Sequence, residues 1–149
     1  MTHHSEKKWT LEDIKSFRKN SILETLGIEV QDCDDASIVL TMPITDAARQ
    51  PLGILHGGVS LVLAETAASL HACWGIDLNE LVPVGIEING SHLNSADKGT
   101  VRAVARVLRK SRSLIVHQVE VVHVESDRVL CTSRVTNFYK SIKSLSGIA

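Results

Sequence analysis

The sequence predicts an α+β domain in which one long helix packs on an antiparallel sheet. Two observations carry that expectation. Residues 58–74 form a run rich in Ala, Leu and Val, without internal Gly or Pro, and its length and propensity favour helix over strand. After it the period changes: residues 82–93, 99–108, 113–125 and 129–139 are β-branched-rich, often alternating, and separated by short polar turns. Four strands after one helix, with no helical crossovers between them, define the class.

The elements before the long helix follow from local signals. Thr10 is a candidate N-cap with Asp13 as its acidic N3 partner, and Leu11, Ile14 and Phe17 fall near helical spacing. A second apolar turn covers 22–26, and Gly27 ends it. Residues 28–31 and 37–42 read as two strands joined by the turn-forming Asp32, Asp34 and Asp35. In the long helix, Val59, Val62, Leu63, Ala64, Ala67, Ala68, Leu70 and Cys73 cover most of the circumference, so it is expected to be surrounded by protein. Asn89-Gly90 marks either a kink in one continuous strand, the preferred reading, or a hairpin turn that splits it. The tail after Lys140, rich in Ser and Lys, is expected to be loosely attached.

The 149 residues suit a single domain, 1–149, with a helical N-terminal segment (1–26) and a tail (140–149). Sixteen basic residues against seventeen acidic ones provide no global field for nucleic acid or an anionic membrane, so neither partner is expected. Cys33, Cys73 and Cys131 are odd in number and far apart, against a disulfide framework or zinc knuckle and in keeping with a reducing cytoplasm. The polar start, with His3 and His4, lacks an apolar leader, and no run approaches a membrane span, so the expectation is a soluble, unsecreted protein.

Chemistry concentrates where a loop becomes the long helix. At His56-Gly57-Gly58 the first helical amides lack internal partners and carry the positive end of the dipole, so they can polarise a carbonyl, and glycine admits a substrate to the backbone. Glu65 interrupts a small, apolar run, and Ser69 follows one turn later on the same face. Together they can activate a water, or the carboxylate can attack a carbonyl directly. Gln50 offers an amide to a substrate oxygen or to its own loop. Arg109, Lys110 and Arg112, interleaved with Ser111 and Ser113, are either a solvated hairpin or a phosphate site. His117 and His123 share a strand face at a spacing too long for adjacent metal ligands and read as structural, and Trp74 reads as core packing before pocket wall.

Gln50-Pro51, Gly53-Ile54-Leu55-His56-Gly57-Gly58 and Ala64-Glu65-Thr66 with Ser69 resemble the signature of hotdog-fold acyl-CoA thioesterases. The nearest groups are the phenylacetate-pathway, 4-hydroxybenzoyl-CoA and 1,4-dihydroxy-2-naphthoyl-CoA enzymes. The likeness continues through Val84 to Asn89, His92, Ser95-Ala96 and Gly99-Thr100-Val101, covering about residues 26–139. It implies a long helix wrapped by a curved antiparallel sheet, and subunits paired edge to edge, two dimers forming a homotetramer. It also implies active sites at the dimer interface, and hydrolysis of an acyl-CoA to a carboxylic acid and CoA. Coenzyme A enters as part of the substrate, and no separate cofactor or metal is implied.

By the same resemblance Glu65 is nucleophile or general base and the Gly57 amide polarises the thioester. His56 supports the loop, Gln50 orients the thioester and Ser69 assists the water or nucleophile. Contacts to coenzyme A are implied for Gly85, for His92, Leu93, Asn94 and Ser95, and for the turn Arg109, Lys110, Ser111, Arg112, Ser113 and Leu114. Family members usually carry Gly at the Ser111 position and often a basic residue at Asn94. An aromatic acyl group, with dihydroxynaphthoyl-CoA of menaquinone synthesis as the leading example, is the expected substrate. Broader acyl-CoA hydrolysis, a hydratase on the same scaffold and a non-catalytic acyl-CoA sensor are the rivals. Gly57 and Glu65 lie about 12 Å apart along one helix axis, too far to share one carbonyl, which calls for a second subunit.

Overall fold

The computed structural model describes residues 8–145, so His3 and His4 and residues 146–149 lie outside it. Two short helices open the chain, α1 (Leu11–Lys15) and α2 (Ile22–Leu26). Thr10 and Asp13 form the expected reciprocal cap, and Gly27 ends α2 in the left-handed region at φ 67°. Strands β1 (Glu29–Cys33) and β2 (Ser37–Pro43) follow, then helix α3 (Gly57–Ala72). Strands β3 (Leu81–His92), β4 (Thr100–Lys110), β5 (Leu114–His123) and β6 (Arg128–Ser141) and a last turn α4 (Ile142–Leu145) complete the order.

All six strands form one antiparallel sheet in the order β1-β2-β4-β5-β6-β3. Alternation puts Ile38, Leu40 and Met42 of β2, Val101, Ala103 and Ala105 of β4, and Val119 and Val121 of β5 on the inner face. Leu63, Ala64, Ala67 and Ala68 of α3 belong to the same core cluster, and alanines on both sides allow the helix to lie close to the sheet.

The sheet does not enclose α3 fully. Gly58 and Glu65 are exposed, and Val62, Thr66 and Ser69 only half-buried, so an open stripe runs along the helix instead of the all-round burial expected. Six strands cover the apolar and small side of the cylinder and leave that stripe to another surface. Glu65 is therefore not a buried acid within its own chain.

Smaller differences have local causes. Asp32 belongs to β1, and the β1–β2 turn is made by Asp34, whose Oδ1 accepts from the N–H groups of Ala36 and Ser37. β3 is continuous through Asn89-Gly90, as preferred, and its irregularity falls between Gly85 and Glu87 instead. Gly90 is needed for packing: a Cβ there would meet Leu61 Cδ2 at 2.7 Å and Ser133 Cβ at 3.0 Å. Just past Lys140, β6 reaches Ser141 and the Ile142 N–H donates to the Glu80 carbonyl, so the tail is held at least as far as Ile142; residues 146–149 lie outside the described residues.

Two buried histidines join helix to sheet. The Asp34 carbonyl can only accept, so His71 Nε2–H donates to it (2.8 Å), and His71 Nδ1 accepts from His117 Nε2–H (2.7 Å). His117 Nδ1 is left without a partner. Burial lowers the pKa of His71, and burial with His71 and Lys110 nearby pushes His117 down to about 3. His123, by contrast, bonds Ser126 and the Lys98 carbonyl at the surface, and Trp74 Nε1–H donates to Asp35 while the ring packs on the core. All three cysteines are free and buried; burial raises each thiol, Cys33 and Cys73 to about 12.

Candidate active site

The start of α3 forms the first half-site. His56 is the N-cap and its Nδ1 accepts from Gly58 N–H at 2.8 Å, which uses up that amide and fixes the ring. Among the described residues Gly57 N–H has no partner, so it presents a free donor at the positive end of a 16-residue helix. The His92 ring lies against Gly57, where a Cβ would come within 2.7 Å of Nε2, so only glycine fits. A cavity of about 230 Å³ joins Gly57 to Gln50, Ser60, His92, Asn94 and Ser95. Gln50 Oε1 accepts from Leu52 N–H, bracing the loop and leaving its amide N–H groups for another acceptor. Leu93 is exposed beside this group, its N–H donating to the Leu130 carbonyl.

The second half-site surrounds Glu65. A cavity of about 430 Å³ is lined by Glu65, Thr66, Ser69, Val62, Ile22 and Leu23. An apolar groove of about 300 Å³ shares Leu23, Ser69 and Leu70 with it and extends to Phe17, Leu78 and Val82. Gly85 admits the acid: a Cβ there would meet Glu65 Oε1 at 2.9 Å. Sequence grouped Gly85 with His92 to Ser95, but within one chain it lies with Glu65, seven residues or about 23 Å along β3 from His92.

Sequence reasoning missed Asn137. This fully buried β6 residue pairs across the sheet with Gly85, and its Oδ1 accepts from Ser69 Oγ–H at 3.1 Å. An amide at an inward strand position, on the same β6 face as the buried Ser133, was the available signal.

The basic turn keeps its charges free. Ser111 closes it, Oγ accepting from the N–H groups of Ser113 and Leu114 and donating to the Leu114 carbonyl. Arg109, Lys110 and Arg112 are exposed and make no ion pair among the described residues. The Ser113 carbonyl accepts from Tyr139 N–H, which sets the turn at the Gly85 end of β3. Among the described residues no three His, Cys, Asp or Glu side chains converge on a metal position, and no helix is long and apolar enough to cross a membrane.

A long helix laid on a six-stranded antiparallel sheet is the hotdog fold of thioesterases. The chain belongs to the thioesterase superfamily, whose profile matches residues 52–131. It is 41% identical over 113 residues to the 1,4-dihydroxy-2-naphthoyl-CoA hydrolase of Listeria monocytogenes (76% of this chain, 90% of that protein). It is 36% identical over 131 residues to the Escherichia coli enzyme of the same name (88% and 95%). A crystal structure of a mutant of thioesterase PA1618 from Pseudomonas aeruginosa superposes with a TM-score of 0.84 at 32% identity, covering 91% of this chain and 97% of that one. The protein is thus a thioesterase, an enzyme of the hydrolase class.

Proposed function

We propose that this enzyme hydrolyses an aromatic acyl-CoA, with 1,4-dihydroxy-2-naphthoyl-CoA of menaquinone synthesis as the leading substrate. The observation that carries this reading is the apolar groove beside Glu65 and Ser69, walled by Phe17, Leu23, Leu70 and Val82, which suits a flat apolar acyl group. The shared name of the Listeria and Escherichia relatives supports the particular acyl group.

In the proposed reaction Gly57 N–H and the Gln50 amide hold the thioester oxygen. Glu65 takes a proton from water as the water oxygen bonds to the thioester carbon, and the carbonyl electron pair moves to oxygen beside Gly57. When that intermediate collapses, the C–S bond breaks and the departing thiolate takes the proton from Glu65. His56 braces the loop. Phosphates of coenzyme A meet Arg109, Lys110 and Arg112, and its chain runs past His92, Leu93, Asn94 and Ser95. The reaction so written needs no further cofactor.

The two half-sites meet only between copies. β3 has one neighbour, β6, and leaves a 12-residue edge with Ile86 58% exposed. An edge so long and unguarded is built to pair. Antiparallel pairing of two β3 edges about a centre between Ile88 and Asn89 sets Gly85 of one copy opposite His92 of the other. The Glu65 and basic-turn half-site of one copy then faces the Gly57 half-site of the other. We take the assembly to be a dimer of such dimers, working in the cytoplasm, where its three free thiols stay reduced.

Thiol release from benzoyl-CoA, short-chain and long-chain acyl-CoAs tests the substrate class. The expected result is highest kcat/KM on the aromatic ester, and at least about a hundredfold loss of turnover in Glu65→Gln, as removal of a base or nucleophile gives. Equal rates across the panel would overturn the aromatic assignment.

A further inference from the structure

We propose that Asn137 is a positioning residue that turns the Ser69 hydroxyl into a hydrogen-bond acceptor for the hydrolytic water. The inference rests on the reading of Glu65 given above.

A helical serine ordinarily returns its hydroxyl proton to the carbonyl four residues back, and here Glu65 adds a carboxylate on the same face. Ser69 does neither. Its single proton goes across to β6, onto Asn137 Oδ1 at 3.1 Å. What Ser69 Oγ has left for the cavity it shares with Glu65 is lone pairs. A water there meets two acceptors, the carboxylate and the hydroxyl oxygen. With one proton donated to each, its remaining lone pairs face away from both, toward the thioester carbon. The proton given to Glu65 is the one transferred as the C–O bond forms, while the proton given to Ser69 stays on oxygen and sets the angle of attack. Were the Ser69 proton free, it would bond the Glu65 carboxylate and occupy the base.

Asn137 holds this arrangement at a cost in stability. It is fully buried, between Gly85 and Ile115 in the sheet register, and its Nδ2 has no partner. An unpaired amide in a strand core is destabilising, and an apolar residue of similar size would remove the penalty. Polar residues kept in such positions are expected at functional sites. The two members of the cross-strand pair have complementary roles. Gly85 lacks a side chain so that Glu65 can lie on β3, and Asn137 opposite it supplies the acceptor for Ser69.

The test compares full-length wild type, Asn137→Leu, Asn137→Asp, Ser69→Ala and the Asn137→Leu/Ser69→Ala double variant for benzoyl-CoA kcat, KM and Tm. Asn137→Leu is expected to lower kcat about tenfold, the scale of one lost hydrogen bond, with KM unchanged and Tm no lower than wild type. Asn137→Asp, which keeps an oxygen facing Ser69, retains most of kcat. In the Ser69→Ala background the leucine changes kcat by less than about twofold, because both act through one hydroxyl. The proposal is overturned by equal losses in both backgrounds, by a lowered Tm with kcat intact, or by an aspartate variant as slow as the leucine one. If Asn137→Leu does not fold, Asn137→Ala takes its place in the same comparison. Glu65→Gln is measured in parallel: full turnover there sinks the reading of the site, whereas an inactive Glu65→Gln beside a fully active Asn137→Leu sinks this proposal alone.

Discussion

Glu65 sits on the open stripe of α3 with its Oε1 over the bare Cα of Gly85, and the whole second half-site depends on that missing side chain. Gly85→Ala therefore has a specific expected outcome. The new Cβ would crowd the far end of a flexible side chain, Glu65 Oε1 at 2.9 Å, and make ordinary contact with Asn137 Oδ1 at 3.8 Å, so the protein folds with a Tm within a few degrees of wild type while Glu65 swings off β3. Turnover of benzoyl-CoA falls at least about tenfold through lost alignment, and wild-type kcat in Gly85→Ala would show that the carboxylate works from elsewhere. As a candidate, Glu65 was legible because a carboxylate broke a run of small apolar residues, and the structure places it on an open face rather than as a buried charge. Asn137 was not legible, since its hydrogen-bond partner is a hydroxyl 68 residues away that only the folded sheet brings to it.

At the scale of elements, periodicity was enough to find α3 and the four long strands, because side-chain alternation and helix length are local properties. What ties them together was not visible. His71 and His117 are 46 residues apart, and their 2.7 Å contact pins α3 to β5. Both are held neutral by burial, with His117 at about 3, against about 6.5 in the unfolded chain. Below pH 6.5 the unfolded chain takes up protons that the folded one refuses. The stabilisation is thus complete above that pH and lost progressively as pH falls toward about 3. Thermal melts between pH 7.5 and 5 are expected to show a falling Tm in wild type and a shallower fall in His117→Gln, which keeps a donor to His71 but cannot titrate. Parallel slopes would remove His117 from the account of acid sensitivity.

At the scale of the whole molecule the sequence predicts a second copy, because the two proposed half-sites, at Gly57 and Glu65, stand about 12 Å apart along one helix and in the proposed reaction act on one thioester. The structure adds the edge strand on which they are strung. Mixing Glu65→Gln and Gln50→Ala, each first measured alone and expected to be slow, and allowing subunit exchange should raise activity to about a quarter of wild type, since half the dimers are mixed and each then holds one intact site. No recovery after verified exchange would mean that each copy works alone.

The buried cysteines bear on how such measurements can be read. Cys33 and Cys131 are buried in the fold and Cys73, also buried, edges the groove beside Ser69; burial raises all three thiols, Cys33 and Cys73 to about 12, so the native enzyme offers little thiolate to a colorimetric thiol reagent. In an assay that counts liberated coenzyme A, the catalyst is therefore optically silent, and its signal is product alone. The same silence makes a second instrument of the reagent. With substrate withheld, slow colour of three equivalents per chain counts molecules that have opened, a direct clock for unfolding in every variant proposed above.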